Sequence, residues 1–227
     1  MTAAKGLFLS FEGIDGCGKS TAIKGVAEKF SASGRNVVLT HEPTDGTIGK
    51  KIYDILLGRR RMIRPLELQK LYVEDRKEHI EKLIATSLAQ NAIVMTDRFW
   101  HSTLAYGMID EPLEILRKLH NEILGDDFVK PDITFILDLP PEKAFARMER
   151  TRNNLDFFEK IEKQKKIREN FIALVNAGVG TIEVIDALET PQEVVRSIWK
   201  QISASYLCSL ALQNFCGLSA NKIWLRA

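Results

Sequence analysis

One stretch constrains this 227-residue chain more than any other: Gly13-Ile14-Asp15-Gly16-Cys17-Gly18-Lys19-Ser20, which fits the pattern G-x-x-x-x-G-K-[ST]. Its glycines let the backbone turn so that successive N–H groups point inward at a phosphate chain. A helix beginning near Ser20 adds its positive end to the same anion. That device works only between a strand and a helix. The sequence supplies both, an apolar run Leu7–Glu12 before the loop and a helical pattern Ser20–Ser33 after it. Residues Gly13 to Thr21 are therefore assigned to a nucleoside triphosphate, ATP in the simplest case. Lys19 is expected to reach the β- and γ-phosphates and the Ser20 hydroxyl to hold Mg²⁺. Cys17 reads two ways, as a thiol activated by the helix N-terminus or as the filler of a permissive loop position.

The rest of the chain alternates as this loop requires. Compact runs of Val, Ile, Leu and Phe at Leu7–Glu12, Asn36–Thr40, Ala92–Asp97, Asp132–Asp138 and Thr181–Asp186 read as strands buried on both faces. Helical patterns occupy Ser20–Ser33, Ile48–Gly58, Pro65–Gln90, Glu111–Gly125, Pro141–Arg152, Leu155–Ala177 and Pro191–Tyr206. Strands joined through helices run parallel. The expected fold is α/β, a three-layer α/β/α P-loop NTPase architecture with a five-stranded parallel sheet, in one domain over 1–206. Residues 207–227 break the alternation and read as a tail or a docked helix.

Composition narrows the partners. Lys+Arg number 32 against 30 Asp+Glu, the net charge is +2, and 45% of residues are hydrophobic. A disordered chain would pair low hydrophobicity with high net charge, and a nucleic-acid polymer would call for a basic excess. Cys17, Cys208 and Cys216 are odd in number and widely spaced, which argues against a disulfide framework and for the cytoplasm. The apolar stretches 7–11 and 206–218 fall short of the ~20 residues a membrane span needs. No membrane partner is expected.

Two acids close apolar strands, Asp97 and Asp138. The carboxyl ends of parallel strands face the ligand crevice, so each is either a second Mg²⁺ anchor or a strand-terminating turn residue. Asp97 is favoured because Arg98 follows it; an acid beside an arginine there suits both a metal and a second phosphate.

Further elements, in chain order, resemble the thymidylate kinase family. Phe11-Glu12-Gly13 through Lys19-Ser20-Thr21 resembles F-E-G-x-D-G-x-G-K-S-T, and Glu42-Pro43-Thr44-Asp45-Gly46-Thr47 resembles the family's E-P loop. Tyr72-Val73-Glu74-Asp75-Arg76 resembles its aromatic-x-x-x-R element, and Asp97-Arg98-Phe99 through Ala105-Tyr106 its D-R-Y-x-x-S-x-x-A-Y. Pro131 through Glu142 resembles P-D-[LI]-T-x-x-L-D-x-P-P-E. The resemblance spans roughly residues 6 to 190. It implies transfer of the γ-phosphoryl of ATP to dTMP with Mg²⁺ on Ser20 and Asp97, in a homodimer built from the helices at Ile48–Gly58 and Pro65–Gln90. Arg98 would clamp the acceptor phosphate, its planar fork matching two oxygens. Asp15 would hold the sugar 3′-hydroxyl, Arg76 the thymine edge, and Tyr72 would stack on the base where the family usually has Phe. Tyr106 would lie beside the deoxyribose, with Glu42, Pro43 and Ser102 bordering the same site. Read without the resemblance, Tyr72 is a core residue beside Leu68 and Leu71, and Arg76 is a surface partner of Glu74 or Glu81.

Gly16 stands where some members carry an arginine. The chain thus resembles members whose catalytic arginines sit in a short lid, here about 147–157, with Arg147, Arg150 and Arg152 as candidates to close over ATP. The alternative is a solvated helix face paired with Glu142, Glu149 or Glu159. Three positions depart from the family pattern. His41 replaces a common Arg, and Gly107-Met108 replaces Q-G, removing an amide that could touch the nucleoside. Asp156-Phe157-Phe158-Glu159 lacks the arginine of D-R-[FI]-E. Competing functions are a kinase for another nucleoside monophosphate, a deoxynucleoside kinase using Glu42 as base, and a nucleotide-dependent switch, for which no N-K-x-D element is present. His41, His79, His101 and His120 show no metal-ligand spacing.

Overall fold

The computed structural model describes residues 6–148 and 154–204. All five expected strands form, displaced by at most one residue: β1 (Leu7–Glu12), β2 (Val37–His41), β3 (Ile93–Asp97), β4 (Ile133–Asp138) and β5 (Ile182–Asp186). They make one parallel sheet in the order β2-β3-β1-β4-β5. The helices are α1 (Lys19–Ala32), α2 (Thr47–Leu56), α3 (Pro65–His79), α4 (Ala85–Ala89), α5 (Trp100–Gly107), α6 (Leu113–Leu124), α7 (Pro141–Met148), α8 (Asn154–Asn176) and α9 (191–204). Among the described residues no helix is long and apolar enough to cross a membrane.

Successive residues of β1 point to opposite faces of the sheet, yet all six are buried, so helices cover both faces at its centre. Phe8 packs edge-to-face on Phe99 at 5.0 Å, and Phe11 lies 5.6 Å from Phe135. Fully burying a side chain of this kind contributes about 1.5–3 kcal/mol. The outer strands depart from the sequence reading. β2 and β5 each have a neighbour on one side only, and Leu39 (49%) and Val184 (42%) are exposed.

Two helical features also differ from expectation. The run from Pro65 is interrupted by a π-helical turn, Ile80–Ile84, before α4. α5 was not among the helical patterns because nearly every one of its residues is buried, which erases the one-sided period a surface helix shows.

Register explains how the sheet builds a site. β3 lies between β1 and β2, and Asp97 pairs with Phe11 on one side and His41 on the other. The chain therefore leaves three adjacent strands side by side, as the phosphate loop, the Glu42-Pro43 loop and Arg98. The Glu42-Pro43 loop is pinned from two helices. Asp75 of α3 accepts from Thr44 N (2.8 Å) and Thr44 Oγ1 (2.6 Å), and α2 presses on the same residue through Gly49. A Cβ at Gly49 would lie 1.9 Å from Thr44 O, a backbone atom that cannot swing aside. Gly49→Ala is accordingly expected to lower stability by about 1–3 kcal/mol, read as a lower urea midpoint at unchanged m-value.

Candidate active site

The phosphate loop closes through glycine. Gly13, Gly16 and Gly18 have φ of +133°, +78° and +103°, a region side chains rarely enter, and a Cβ on Gly13 would also meet Leu137 O at 2.7 Å. Lys19 is buried, and its Nζ donates to Ile14 O at 3.0 Å and Gly13 O at 3.3 Å. The Ser20 hydroxyl donates to Asp97 Oδ2 at 2.9 Å. These hard oxygen donors fit Mg²⁺, which usually takes one or two carboxylates and keeps waters. Asp138 does not join them: Arg168 of α8 donates to both of its oxygens, at 2.6 and 2.8 Å, and it lines neither cleft described below. Cys17 is buried, and burial pushes its thiol pKa up, opposite to what an activated thiol needs.

A cleft of about 740 Å³ opens over this loop, lined by residues Asp15 to Ala22 together with Asp97, Arg98, Arg147 and Met148. Arg147 is fastened at its rim, donating to Ala187 O at 2.8 Å and Cys17 O at 3.5 Å. Glu142, offered as its alternative partner, pairs with Lys165 instead. Arg150 and Arg152 lie outside the described residues.

Arg98 has φ of +69°, uncommon for a residue with a Cβ and costing about 1–3 kcal/mol. Its N–H donates to Phe11 O (2.9 Å) and its carbonyl accepts from Thr96 Oγ1 (2.7 Å), which holds the turn. The turn sends the guanidinium back over the phosphate loop. There it donates to Gly13 O (3.1 Å), Ser102 Oγ (2.9 Å) and Tyr106 OH (3.1 Å), and it ion-pairs with Asp15. Burial draws the Arg98 pKa down, but Tyr106, Asp15, Glu12 and Asp97 together more than offset it and hold it above its ordinary value. Beneath lies Glu12, fully buried, accepting from Ser102 Oγ (2.5 Å) and Phe99 N (2.9 Å).

A second cleft, of about 670 Å³, lies on the other side of Arg98. Its walls include Glu42, Pro43, Gln69, Tyr72, Arg76, Ser102, Tyr106 and Gln164. Tyr72 is thus a wall residue and not core. Arg76 is 1% exposed and pairs with neither Glu74 nor Glu81. It donates to Glu42 Oε2 (2.5 Å), Thr103 Oγ1 (2.9 Å) and His120 Nε2 (2.8 Å). His120 can accept because its Nδ1–H donates to Leu116 O (2.7 Å), and burial lowers its pKa to about 3, keeping it neutral. The other Glu42 oxygen meets His79 Nδ1 at 3.0 Å, so neither oxygen is free to serve as a base. His41, where the family commonly has arginine, donates from Nδ1 to Pro43 O at 2.8 Å. The two clefts share Asp15, Asp97 and Arg98.

Sequence reasoning missed Glu12, Gln69, His79, Thr103, His120 and Gln164 around this cleft. Gln69 had a usable signal, since it stands three and seven residues before Tyr72 and Arg76 on one helix face. Arg76, which meets His120 Nε2, lies 44 residues away, and Gln164 reaches the cleft from α8, so no local spacing announces either.

A parallel sheet of this order, with a phosphate loop on one side of a half-buried arginine and a second cleft on the other, is the architecture of a P-loop kinase acting on a small second substrate. The family model for thymidylate kinase matches residues 11–198. The chain is 37% identical over 202 residues to a probable thymidylate kinase of Thermococcus kodakarensis, covering 85% of this chain and 95% of that one. It is 34% identical over 195 residues to a thymidylate kinase of Thermoanaerobacter sp., covering 86% and 96%, and 40% identical over 175 residues to a probable thymidylate kinase of Methanococcus maripaludis, covering 76% and 79%. The chain belongs to the thymidylate kinase family.

Glu12 gives a pH signature to this arrangement. Burial raises its carboxyl to about 7 from 4.5, outweighing its hydrogen bonds and nearby Arg98. A raised folded-state pKa contributes stability that is complete below the unfolded value and is lost as pH rises through the folded one. Between pH 4.5 and about 7 this contribution is expected to fall away, by up to about 3 kcal/mol. Glu12→Gln should flatten that part of the stability–pH curve measured by urea unfolding.

Proposed function

We propose that this protein transfers the γ-phosphoryl of ATP to dTMP, giving dTDP and ADP. The observation that carries the reading is the shared boundary of the two clefts, where Arg98 stands with Asp15 and Asp97. A monophosphate acceptor is already an anion near neutral pH, so the reaction needs alignment and charge neutralisation and no general base. The committed oxygens of Glu42 agree with that.

In this reading residues Gly13 to Thr21 hold the ATP phosphates, with Lys19 turning from the loop carbonyls to the β- and γ-oxygens. Arg98 exchanges its Asp15 contact for the acceptor phosphate, and Asp15 takes the sugar 3′-hydroxyl. Mg²⁺ on Ser20 and Asp97 would supply neutralisation of charge at the phosphate oxygens. Tyr72 gives the base a flat wall, Arg76 meets its edge, and Tyr106 lies along the deoxyribose, with Glu42, Pro43 and Ser102 completing the site. Arg147, already at the rim of the ATP cleft, leads a lid over about 147–157 that brings Arg150 and Arg152 toward the transferred phosphoryl. A homodimer belongs to the same proposal, supported by the exposed Leu57, Met62 and Leu66 where α2 gives way to α3. So does a cytoplasmic location, on the odd and scattered cysteines.

The direct test is Mg²⁺- and ATP-dependent ADP release with dTMP, dUMP, CMP and thymidine compared side by side. dTMP is expected to turn over best and thymidine not at all; turnover with another acceptor but none with dTMP overturns the assignment. Arg98→Ala is expected to cut kcat at least ~100-fold while ATP binding, followed by calorimetry, stays near normal. Unchanged turnover would remove Arg98 from the reaction.

A further inference from the structure

Glu12 ends β1 fully buried and lines neither cleft, so it cannot meet a bound substrate directly. It is tied to Arg98 from two directions. Oε1 accepts from Phe99 N at 2.9 Å, and Oε2 accepts from the Ser102 hydroxyl at 2.5 Å. Phe99 directly follows Arg98, and Ser102 Oγ lies 2.9 Å from Arg98 Nη1.

The first tie acts on the backbone. The amides of Arg98 and Phe99 are both fastened to the end of β1, one by Phe11 O and the other by the Glu12 carboxylate. A side chain at φ +69° persists only where its surroundings over-determine it, and two consecutive anchored amides do that. The second tie sets the order of protons. Arginine only donates, and an ionised carboxylate only accepts. Ser102 has one hydroxyl proton, and giving it to Glu12 leaves the oxygen lone pairs for Arg98. A glutamine at position 12 could not keep both contacts, because its NH₂ would face either the Phe99 N–H or the Ser102 oxygen. The guanidinium is thereby divided. Nη1 is held by Gly13 O and Ser102, whereas Nη2 meets Tyr106 and the exposed carboxylate of Asp15.

We infer that Glu12 is a positioning residue for phosphoryl transfer. Through the Phe99 amide and the Ser102 hydroxyl it fixes the backbone and Nη1 of Arg98, leaving Nη2 to exchange Asp15 for the acceptor phosphate. This rests on the proposed role of Arg98 and adds what holds that arginine once Asp15 lets go.

The test is a double-mutant cycle in the intact protein with ATP, Mg²⁺ and dTMP, run well above the Glu12 pKa of about 7 so that the carboxylate is ionised. Glu12→Gln is expected to lower kcat about 10- to 100-fold, with ATP affinity read by calorimetry unchanged. In the Arg98→Ala background the same substitution should cost no more than about 2-fold, because a residue that acts through Arg98 then has nothing left to position. A carboxylate that only holds the fold together would lower kcat by the same factor in both backgrounds. That result overturns the inference, as does a fully active Glu12→Gln. If Glu12→Gln does not fold, judged by circular dichroism, Ser102→Ala takes its place in the cycle, and equal losses in the two backgrounds overturn the inference there too. An Arg98→Ala protein with unchanged turnover would instead sink the reading of Arg98 on which the inference rests.

Discussion

The guanidinium of Arg98 is gripped by Gly13 O, Ser102 Oγ, Tyr106 OH and Asp15 at the boundary between two clefts, and the surrounding structure serves to keep it there. An arginine in that place is expensive. It occupies a backbone region that disfavours side chains, and its charge is largely removed from water. The sheet register makes the placement possible by setting β3 beside β1, so that the residue after Asp97 can turn back over the phosphate loop. Glu12 supports it from below by way of Ser102 and the Phe99 amide, tying the strand that leads into the phosphate loop to the helix that follows Arg98.

The second cleft follows the same physical logic one layer further out. Arg76 is buried, and a buried charge is tolerable only when paired and hydrogen-bonded. Glu42 provides the opposite charge, and His120 and Thr103 take two further N–H groups. This network joins the loop after β2 to α3, α5 and α6, so the wall of the cleft is also an element of the fold.

Much of this was legible from residues alone. The phosphate loop and the five strands follow from local pattern, because strand–loop–helix chemistry is carried by neighbours in sequence. The all-round burial of α5 hid it from periodicity. Edge exposure of β2 and β5 was equally invisible, since strand order is a property of the whole sheet. Asp97 and Asp138 both close apolar strands, and the following Arg98 already favoured Asp97. What lies opposite separates them further, the Ser20 hydroxyl for one and Arg168 for the other.

The sequence by itself determined the class of fold and the anion site, since a glycine loop between a strand and a helix directs its own backbone amides. It also carried, in ordered motifs, the family to which the chain belongs. Only the tertiary structure decided that Arg76 and Tyr72 face a cleft and that both oxygens of Glu42 are already in use. The physical reason is the same in each case. Burial and pairing are fixed by partners tens of residues away, and no local spacing along the chain encodes them.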